Sequence, residues 1–367
     1  MPYPQFDRRK LVIKPLKARK NTLVIDRDCI PPDREPQPIP EAALRSIEET
    51  VARIRSARAA GRPVILAFGA HAIKNGLGPV MIRLLEDGWI THFATNGAGI
   101  IHDWEFAFQG QSGEDVGVNT ARGEFGIWRE TGQYINLAIL VGAWEGLGYG
   151  ESVGAMIEKE GLQIPDAGTL KDFVSLNLEK DPDRSAAAAD LLGIMRGFPI
   201  TSGLVRLHHP FKRFSLQAAA YRRKVPFTGH PMIGHDIIYT HPMNHGAAIG
   251  RTALRDFLSF AHSVSQLEGG VYLSVGSAVM SPMIFEKALA MSQNLAIQER
   301  RHIDHHFMAV VDIAESSWDW IKDGEPPRSH PAYYSRYCKT FSRMGGEMRY
   351  ICADNRDFLL ALYRGLR

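Results

Sequence analysis

The stretch "ITHFATNGAGIIHDWEF", residues 90–106, holds the three parts of a strand–loop–helix unit. Its first residues are apolar or β-branched and favour a buried strand, residues 96–99 break the pattern, and the residues that follow are compatible with a helix. A strand that runs through a glycine-rich loop into a helix is the unit from which parallel α/β sheets are built. The stretch therefore predicts an α/β fold if the same unit recurs along the chain.

Strand-like and helix-like segments do alternate along most of the sequence. Residues 63–68 predict a strand and residues 77–87 a helix, and the alternation returns after a less regular, mainly helical middle part. Four later strands are predicted in "KVPFTGH" (224–230), "GGVYLSVGS" (269–277), "HHFMAVVDIA" (305–314) and "EMRYICAD" (347–354). We predict one α/β domain over residues 41–367, with a mostly parallel sheet and helices on both faces, after a basic, proline-rich extension over residues 1–40.

Composition is typical of a soluble globular protein. The 367 residues are 45% hydrophobic, which permits a large core, and the net charge of +3 is too small to indicate a nucleic-acid partner. No apolar run is long enough to span a bilayer, so we expect a cytoplasmic protein without a membrane partner. Basic residues concentrate in one segment, which is typical of a solvated arm: Arg8, Arg9, Lys10, Lys14, Lys17, Arg19 and Lys20.

Cysteine usage predicts reduced thiols. The three cysteines, Cys29, Cys338 and Cys352, are widely spaced and odd in number. Neither a disulfide framework nor a thiolate zinc site follows from such spacing.

Glycine stands at or next to the end of four predicted strands. The loops are "GAHAIKNGLG" (69–78), "NGAGIIHD" (96–103), "GHPMIGHD" (229–236) and "GSAVMSP" (276–282). In a doubly wound sheet, ligands bind outside the carboxyl ends of the strands, where glycine lets the backbone approach closely. A single loop of this kind is often an ordinary turn. Four together favour a shared nucleotide site, although the sequence has neither a GxGxxG fingerprint nor a P-loop.

The order of these loops resembles that of the deoxyhypusine synthase family, whose members bind NAD in a sheet related to that of the sirtuins. The first loop is similar to the Ser-Asn-Leu loop of that family, the second to its Thr-Ala-Gly-Gly loop, and the third to its Gly-Asp segment. "CADN" (352–355) is similar to its last Gly-Asp-Ala, so the likeness spans roughly residues 60–365. The resemblance implies a Rossmann-like fold with NAD as the cofactor.

It also implies a set of cofactor-binding residues: Asn75, Gly76, Asn96, Gly97, Ala98, Gly99, Asp103, Gly234, Asp236, Gly276, Ser277, Asp354 and Asn355. Within this set, Asp236 falls where the family places an aspartate on the adenosine ribose. A carboxylate suits that role because it can accept the hydrogens of both hydroxyl groups.

The reaction of the family needs a lysine that forms an imine with an aminobutyl group. Lys339 lies on a predicted helix just upstream of the last strand, as that lysine does in the family, so the resemblance implies a catalytic Lys339. The alternative is that Lys339 has no catalytic role and is a surface lysine on an amphipathic helix. The family's catalytic histidine is missing, because residues 280–283 read Met-Ser-Pro-Met. The acid/base candidates are therefore His102, beside Asp103, and His235.

Histidines are dense between residues 230 and 245, at positions 230, 235, 241 and 245. Their spacing fits no compact metal-binding motif, so we predict no metal site. His230 and His235 are interpreted as groups that face the cofactor or the substrate, with metal binding as the open alternative.

Three functions remain open from sequence. The first is an NAD-dependent transferase of the deoxyhypusine synthase type, acting on a polyamine or another amine or amino-acid-like substrate. The second is an ornithine cyclodeaminase-like deamination, because residues 96–110 also resemble the archaeal and cyanobacterial enzymes with such a domain. The third is a non-catalytic NAD-binding or assembly protein. A homodimer or homotetramer is expected, since active sites of the family lie between paired subunits.

Overall fold

The fold is known from a computed structural model that describes residues 3–316, 318–320 and 322–367. The strands are β1 Leu23–Val24, β2 Val64–Phe68, β3 His92–Thr95, β4 Gln111–Ser112, β5 Gly161–Ile164, β6 Gly203–Arg206, β7 Phe227–Gly229, β8 Val271–Val275, β9 Phe307–Asp312 and β10 Glu347–Cys352. The helices are α1 Ile25–Asp28, α2 Glu41–Ala59, α3 Ala70–Lys74, α4 Gly78–Glu86, α5 Gly97–Gln109, α6 Val116–Ala121, α7 Arg129–Glu145, α8 Tyr149–Lys159, α9 Ala167–Asn177, α10 Pro182–Gly197, α11 Leu216–Arg223, α12 Gly246–Ser265, α13 Met280–Gln298, α14 Arg336–Ser342 and α15 Asn355–Leu366.

Six strands form one parallel sheet in the order β10-β9-β8-β2-β3-β7. Counted along the chain, these are the sixth, fifth, fourth, first, second and third strands of the sheet. Read from the other edge, this is the order 3-2-1-4-5-6 of doubly wound dinucleotide-binding folds. The predicted Rossmann-like parallel sheet is thereby confirmed, and its order reverses between β2 and β8.

Both faces of the sheet are buried, because successive strand residues point to opposite sides and nearly all are apolar. In β2, Val64, Leu66 and Phe68 join the core beneath α2, α4 and α15. Ile65 and Ala67 join the core beneath α12, α13 and α14. Helices therefore cover both faces, as predicted. Within the residues described above, no helix combines the length and the apolar character that a bilayer crossing needs.

A long, mainly helical segment separates β3 from β7. It runs from α5 to α11 and includes one hairpin, in which β5 pairs with β6 in antiparallel register. Helix α11 packs on α4 and α8, and leads the chain back to the sheet at the edge strand β7. This segment places α5 and α8 next to the carboxyl ends of β3 and β7.

The basic N-terminal segment packs against the rest of the chain rather than forming a solvated arm. Strand β1 pairs with β4. Arg19, only 6% exposed, forms a two-pronged ion pair with the buried carboxylate of Glu105 at 2.8 and 2.6 Å. Arg8 donates to the backbone carbonyls of Tyr239 at 2.8 Å and Asn244 at 3.2 Å. A buried guanidinium is stable only with a paired charge, so these contacts fix the segment in place.

Candidate functional site

A cavity of about 260 Å³ opens at the carboxyl edge of the sheet, next to the point where the strand order reverses. Four predicted cofactor-binding residues line it, namely Asn75, Gly276, Asp354 and Asn355. The carboxamide Nδ2 of Asn75 donates to Oδ1 of Asn355 at 2.9 Å, which joins the loop after β2 to the loop after β10. Residues far apart in sequence therefore meet here because parallel strands end at the same edge.

The loops after β2 and β8 touch each other at the reversal point. A Cβ on Gly69 would lie 2.1 Å from the carbonyl oxygen of Gly276, and Gly276 itself has a φ of +57°. Position 69 requires glycine because a side chain there would collide with this carbonyl oxygen. Position 276 favours glycine because its φ lies in the left-handed region. The buried hydroxyl of Ser277 accepts the N–H of Ser281 at 3.1 Å and thereby satisfies a donor in the first turn of α13.

Residues 96–99 form the start of α5. Asn96 is the N-cap, and its Oδ1 accepts the N–H of Gly99 at 2.9 Å. Gly99 packs on β3, since a Cβ there would lie 2.2 Å from Oγ1 of Thr95. The N–H groups of Gly97 and Ala98 fall at positions that have no partner within a helix, so this N-terminus suits a hydrogen-bond acceptor or an anion.

Asp236 reaches from the loop after β7 to the start of α5. Gly234, with a φ of +88°, turns this loop, and a Cβ on Gly97 would lie 2.0 Å from Oδ2 of Asp236. That oxygen is buried without a hydrogen-bond partner, and burial raises the pKa of Asp236 to about 7. The hydroxyl groups of Tyr149 and Tyr239 are also buried and unpartnered. We call Asp236, Tyr149 and Tyr239 the Asp236 cluster; sequence reasoning did not find its two tyrosines.

The carboxylate of Asp103 is buried between α5 and α11. It accepts hydrogen bonds from Oγ of Ser215 at 2.5 Å, from the N–H of Leu216 at 2.9 Å and from Nε2 of Gln217 at 2.9 Å. Burial raises its pKa, against the lowering effect of these bonds. All three donors belong to the N-cap and the first turn of α11, so Asp103 anchors the start of that helix. Its implied place beside the cofactor stays a prediction.

Gly76 is packed against the N-terminal segment. Its φ is +78°, and a Cβ there would lie 2.1 Å from the carbonyl oxygen of Asp28. Its own carbonyl accepts the N–H of Ile30 at 2.9 Å. Of the predicted neighbours Asn75 and Gly76, only Asn75 lines the cavity.

The three predicted catalytic residues lie in separate surroundings. Nδ1 of His102 is 2.7 Å from Oγ of Ser112, and burial lowers the pKa of His102 to about 4. His235 is exposed in the loop after β7. The ammonium of Lys339 lies 3.7 Å from the centre of the Tyr333 ring. None of the three lines the cavity of about 260 Å³, and their catalytic roles stay predictions.

Two of the remaining histidines belong to a buried hydrogen-bonded chain. Oγ1 of Thr228 lies 2.9 Å from Nε2 of His230 and 3.0 Å from Nε2 of His92, and Nδ1 of His92 lies 2.8 Å from Oγ of Ser263. Burial lowers the pKa of both histidines to about 3, so both are neutral near pH 7. Among residues 3–316, 318–320 and 322–367, no group of three or more His, Cys, Asp or Glu side chains is arranged to hold a metal ion.

A second cavity, of about 780 Å³, lies beside the edge strand β7 and is lined by none of the predicted site residues. Asp256 borders it and is 3% exposed. Oδ2 of Asp256 accepts the N–H of Gly150 at 2.8 Å and that of Gly229 at 2.6 Å. Burial raises the pKa of Asp256 to about 8, and Glu151 adds to the increase. This carboxyl thus joins an N–H group of the edge strand β7 to one in the first turn of α8.

Comparison with known proteins gives a distant likeness of fold. No protein-family model and no curated protein matches the chain. The apo structure of ArgZ, an arginine dihydrolase from the ornithine–ammonia cycle in cyanobacteria, aligns with a TM-score of 0.42 and 13% identity, over 88% of this chain and 32% of that one. AgrE in ternary complex with ornithine and NAD+ aligns with a TM-score of 0.43 and 16% identity, over 89% and 33%.

A conserved putative LOR/SDH protein from Methanococcus maripaludis aligns with a TM-score of 0.45 and 14% identity, over 92% of this chain and 73% of that one. The chain spans about a third of the length of the ArgZ and AgrE structures. At these values the likeness extends to the α/β fold alone. The class that the fold defines is a doubly wound α/β protein with its candidate site at the carboxyl edge of the sheet.

Proposed function

We propose that the chain binds a dinucleotide of the NAD type at the carboxyl edge of its sheet and acts as an NAD-dependent enzyme on an amine or amino-acid-like substrate. The observation that carries the proposal is the strand order, which reverses between β2 and β8 beside a cavity lined by Asn75, Gly276 and Asn355. Doubly wound sheets of this order bind dinucleotides in the crevice at the reversal point.

The residues present fit such a group. The first turn of α5 offers N–H groups that suit phosphate oxygens, and its helix dipole favours negative charge there. Gly69 and Gly276 keep the reversal point free of side chains, and the carboxamides of Asn75 and Asn355 offer both donors and acceptors. When bound, NAD would supply the hydride acceptor for oxidation of a carbon–nitrogen bond.

We favour deamination over aminobutyl transfer for the reaction. Transfer needs a lysine amine that reaches the substrate, whereas the Lys339 ammonium lies over the Tyr333 ring and Lys339 does not border the cavity. In deamination, the amine is oxidised to an imine by NAD, and addition of water or of a second amine of the substrate to that imine releases ammonia, so no lysine imine is required. A basic amino acid or a polyamine is the proposed substrate class, and a homodimer or homotetramer the proposed assembly. Ammonia released from the substrate separates the two reactions.

Thermal unfolding with and without NAD tests the site. A ligand at about 100 times its Kd stabilises the folded state by about 2.7 kcal/mol, which raises Tm by several degrees. We expect this stabilisation in the wild type and a smaller one in Asn75→Ala and Asn355→Ala. Asn294→Ala, at an exposed position on α13, is the matched control and should behave as the wild type. No shift with NAD, NADP or FAD, in protein free of carried-over cofactor, would refute the proposal.

Ammonia formation tests the reaction. Wild-type protein with NAD is incubated with ornithine, lysine, arginine or spermidine, and ammonia is measured by colorimetry. We expect ammonia from at least one amine and no change in Lys339→Ala. Product that retains all the substrate nitrogen, together with loss of activity in Lys339→Ala, would favour the transfer reaction instead.

A further inference from the structure

Three oxygen atoms of the Asp236 cluster find no partner in the described part of the chain. They are Oδ2 of Asp236 and the hydroxyl oxygens of Tyr149 and Tyr239, and each is buried. Tyr149 has no exposed surface at all. A buried polar atom without a hydrogen bond costs about 1–3 kcal/mol, and such atoms are rare in folded proteins. Three in one place indicate a site that a ligand completes.

The cluster lies at the edge of the sheet where the candidate dinucleotide site is found. Asp236 lies against Gly97, the first residue of α5. The Tyr149 ring packs on Gly229, the last residue of β7, since a Cβ there would lie 2.9 Å from Cδ1 of Tyr149. Tyr239 lies in the short turn that follows Asp236, and its N–H donates to the carbonyl of Asp236 at 3.3 Å. Burial and the charge of Asp236 both raise the pKa of Tyr149 and of Tyr239. A ligand bound here would be a neighbour of a dinucleotide bound across the reversal point.

The chemistry of the cluster favours a cation. Oδ2 of Asp236 has no hydrogen-bond partner, and among the described residues no lysine or arginine lies within ion-pair distance of this carboxylate; burial raises its pKa to about 7. A buried carboxylate without a counter-charge is unfavourable. A protonated amine supplies that charge and donates three hydrogens while requiring no acceptor, which matches three oxygen atoms. A ribose diol would leave the charge of Asp236 unpaired.

We propose that the Asp236 cluster binds the protonated amino group of the substrate. The inference takes its substrate class from the proposed function and deepens it by naming the residues that recognise the amine. It assigns Asp236 to the substrate rather than to the adenosine ribose, the role that the family resemblance implies.

The stability of the unliganded protein distinguishes a ligand-binding role of Tyr149 from a structural one. Because the Tyr149 hydroxyl has no partner, Tyr149→Phe should leave the free energy of unfolding unchanged or raise it by about 1 kcal/mol, while weakening amine binding. Tyr363→Phe is the matched control. Tyr363 is equally buried at 3% exposure, but its hydroxyl donates to Oδ2 of Asp87 at 3.2 Å and accepts from Nε of Arg83 at 3.3 Å. The Tyr363→Phe variant should therefore be less stable than the wild type and bind amines normally.

Calorimetric titration with 1,4-diaminobutane and ornithine tests the site, with 1,4-butanediol as the uncharged probe of similar shape. We expect saturable binding of an amine and none of the diol by the wild type. Asp236→Asn should weaken amine binding at least about tenfold, because it removes the negative charge that strengthens the hydrogen bond to the ammonium group. The NAD-induced rise in Tm should remain in Asp236→Asn.

Other results of these titrations would overturn the inference or separate it from the proposed function. Loss of the NAD effect in Asp236→Asn with amine binding unchanged would assign the carboxylate to the ribose and overturn the inference. Equal binding of amine and diol, or binding of no amine in the panel, would also overturn it. Amine binding that depends on Asp236 in a protein that NAD does not stabilise would support this inference while the proposed function fails.

Discussion

Gly97→Ala tests the contact between α5 and Asp236 on which the proposed amine site depends. The new Cβ would lie 2.0 Å from Oδ2 of Asp236, whereas a Cβ atom essentially never lies within 3.0 Å of a neighbouring heavy atom. The carboxylate or the first turn of α5 must therefore move by about 1 Å or more. Such overpacking costs about 1–3 kcal/mol, and the better helix propensity of alanine returns about 0.5–1 kcal/mol. We expect a net loss of stability of up to about 2 kcal/mol.

The assay combines urea unfolding with titration of an amine and of NAD. Displacement of Asp236 should weaken amine binding by about tenfold or more, since a hydrogen bond to a charged group contributes about 1.5–3 kcal/mol. Gly246→Ala is the matched control, because Gly246 is the first residue of α12, as Gly97 is of α5. No atom lies within 4 Å of a Cβ at Gly246, so that variant should gain about 0.5–1 kcal/mol and bind normally.

Equal stability of the two alanine variants, with unchanged binding of both ligands, would refute the reasoning. It would mean that Asp236 does not lie against α5 in solution. A loss of stability in Gly97→Ala with unchanged amine binding would support the packing of Asp236 on α5 and would contradict its role in the amine site.

Three further predictions concern buried carboxylates. Arg19→Met should cost about 3–5 kcal/mol in urea unfolding because it leaves the buried charge of Glu105 unpaired, and Glu105→Leu added to it should restore much of the loss; a cost below about 1 kcal/mol would contradict the buried pair. Asp103→Ala should destabilise the protein by about 2–5 kcal/mol, since it removes the acceptor of several buried donors, while the NAD-induced change in Tm stays the same; a selective loss of that change would restore Asp103 to the cofactor site. Asp256→Asn isolates a pH effect. The pKa of Asp256 is about 8 in the folded state against about 4 when unfolded, so its stabilising contribution is complete below pH 4 and is lost as the pH rises to 8. The stability of the wild type relative to Asp256→Asn, measured by urea unfolding from pH 5 to 9, should therefore fall with pH by up to about 1.4 kcal/mol per unit, and a flat difference would contradict the raised pKa.

The strands of the main sheet could be predicted from sequence because both faces are covered by helices. Strands buried on both sides are continuous apolar runs, and the run at residues 63–68 became β2 at Val64–Phe68. The hairpin of β5 and β6 gave no such signal, since β6 is half exposed and lies outside the main sheet. The order of the strands depends on which way each connection crosses the sheet, and no local pattern encodes that choice.

The carboxyl-edge residues were predictable for a similar reason. Glycine at strand ends has local causes, so the loops that contain Asn75 and Gly276 could be found from sequence alone, whereas Asn355 and the cofactor-binding role of all three came from the family resemblance. Tyr149 and Tyr239 reach the site only through packing of α8 and of the short turn after Asp236. The one sequence signal for Tyr149 is its position between two glycines, of which Gly150 lets α8 approach the carbonyl of Phe227.

Charged residues inside apolar helices were harder to interpret. In "IIHDWEFAF" (100–108), Asp103 and Glu105 stand among large apolar residues. Such a setting indicates buried carboxylates with dedicated partners as strongly as it indicates a ligand site. The partners, Ser215 on one side and Arg19 on the other, lie too far away in sequence to be recognised in advance.

The docking of Arg8 has a consequence for how the chain folds as it is synthesised. Arg8 and Tyr239, whose carbonyl it binds, are 231 positions apart. At about 5–20 residues per second, the carbonyl leaves the ribosome roughly 10–50 s after the arginine. The part of the N-terminal segment around Arg8 therefore stays hydrated and unpaired during this time, whereas Arg19 can pair with Glu105, only 86 positions away, much earlier. Contacts of such long range form late, so we infer that this segment closes over a domain already largely folded.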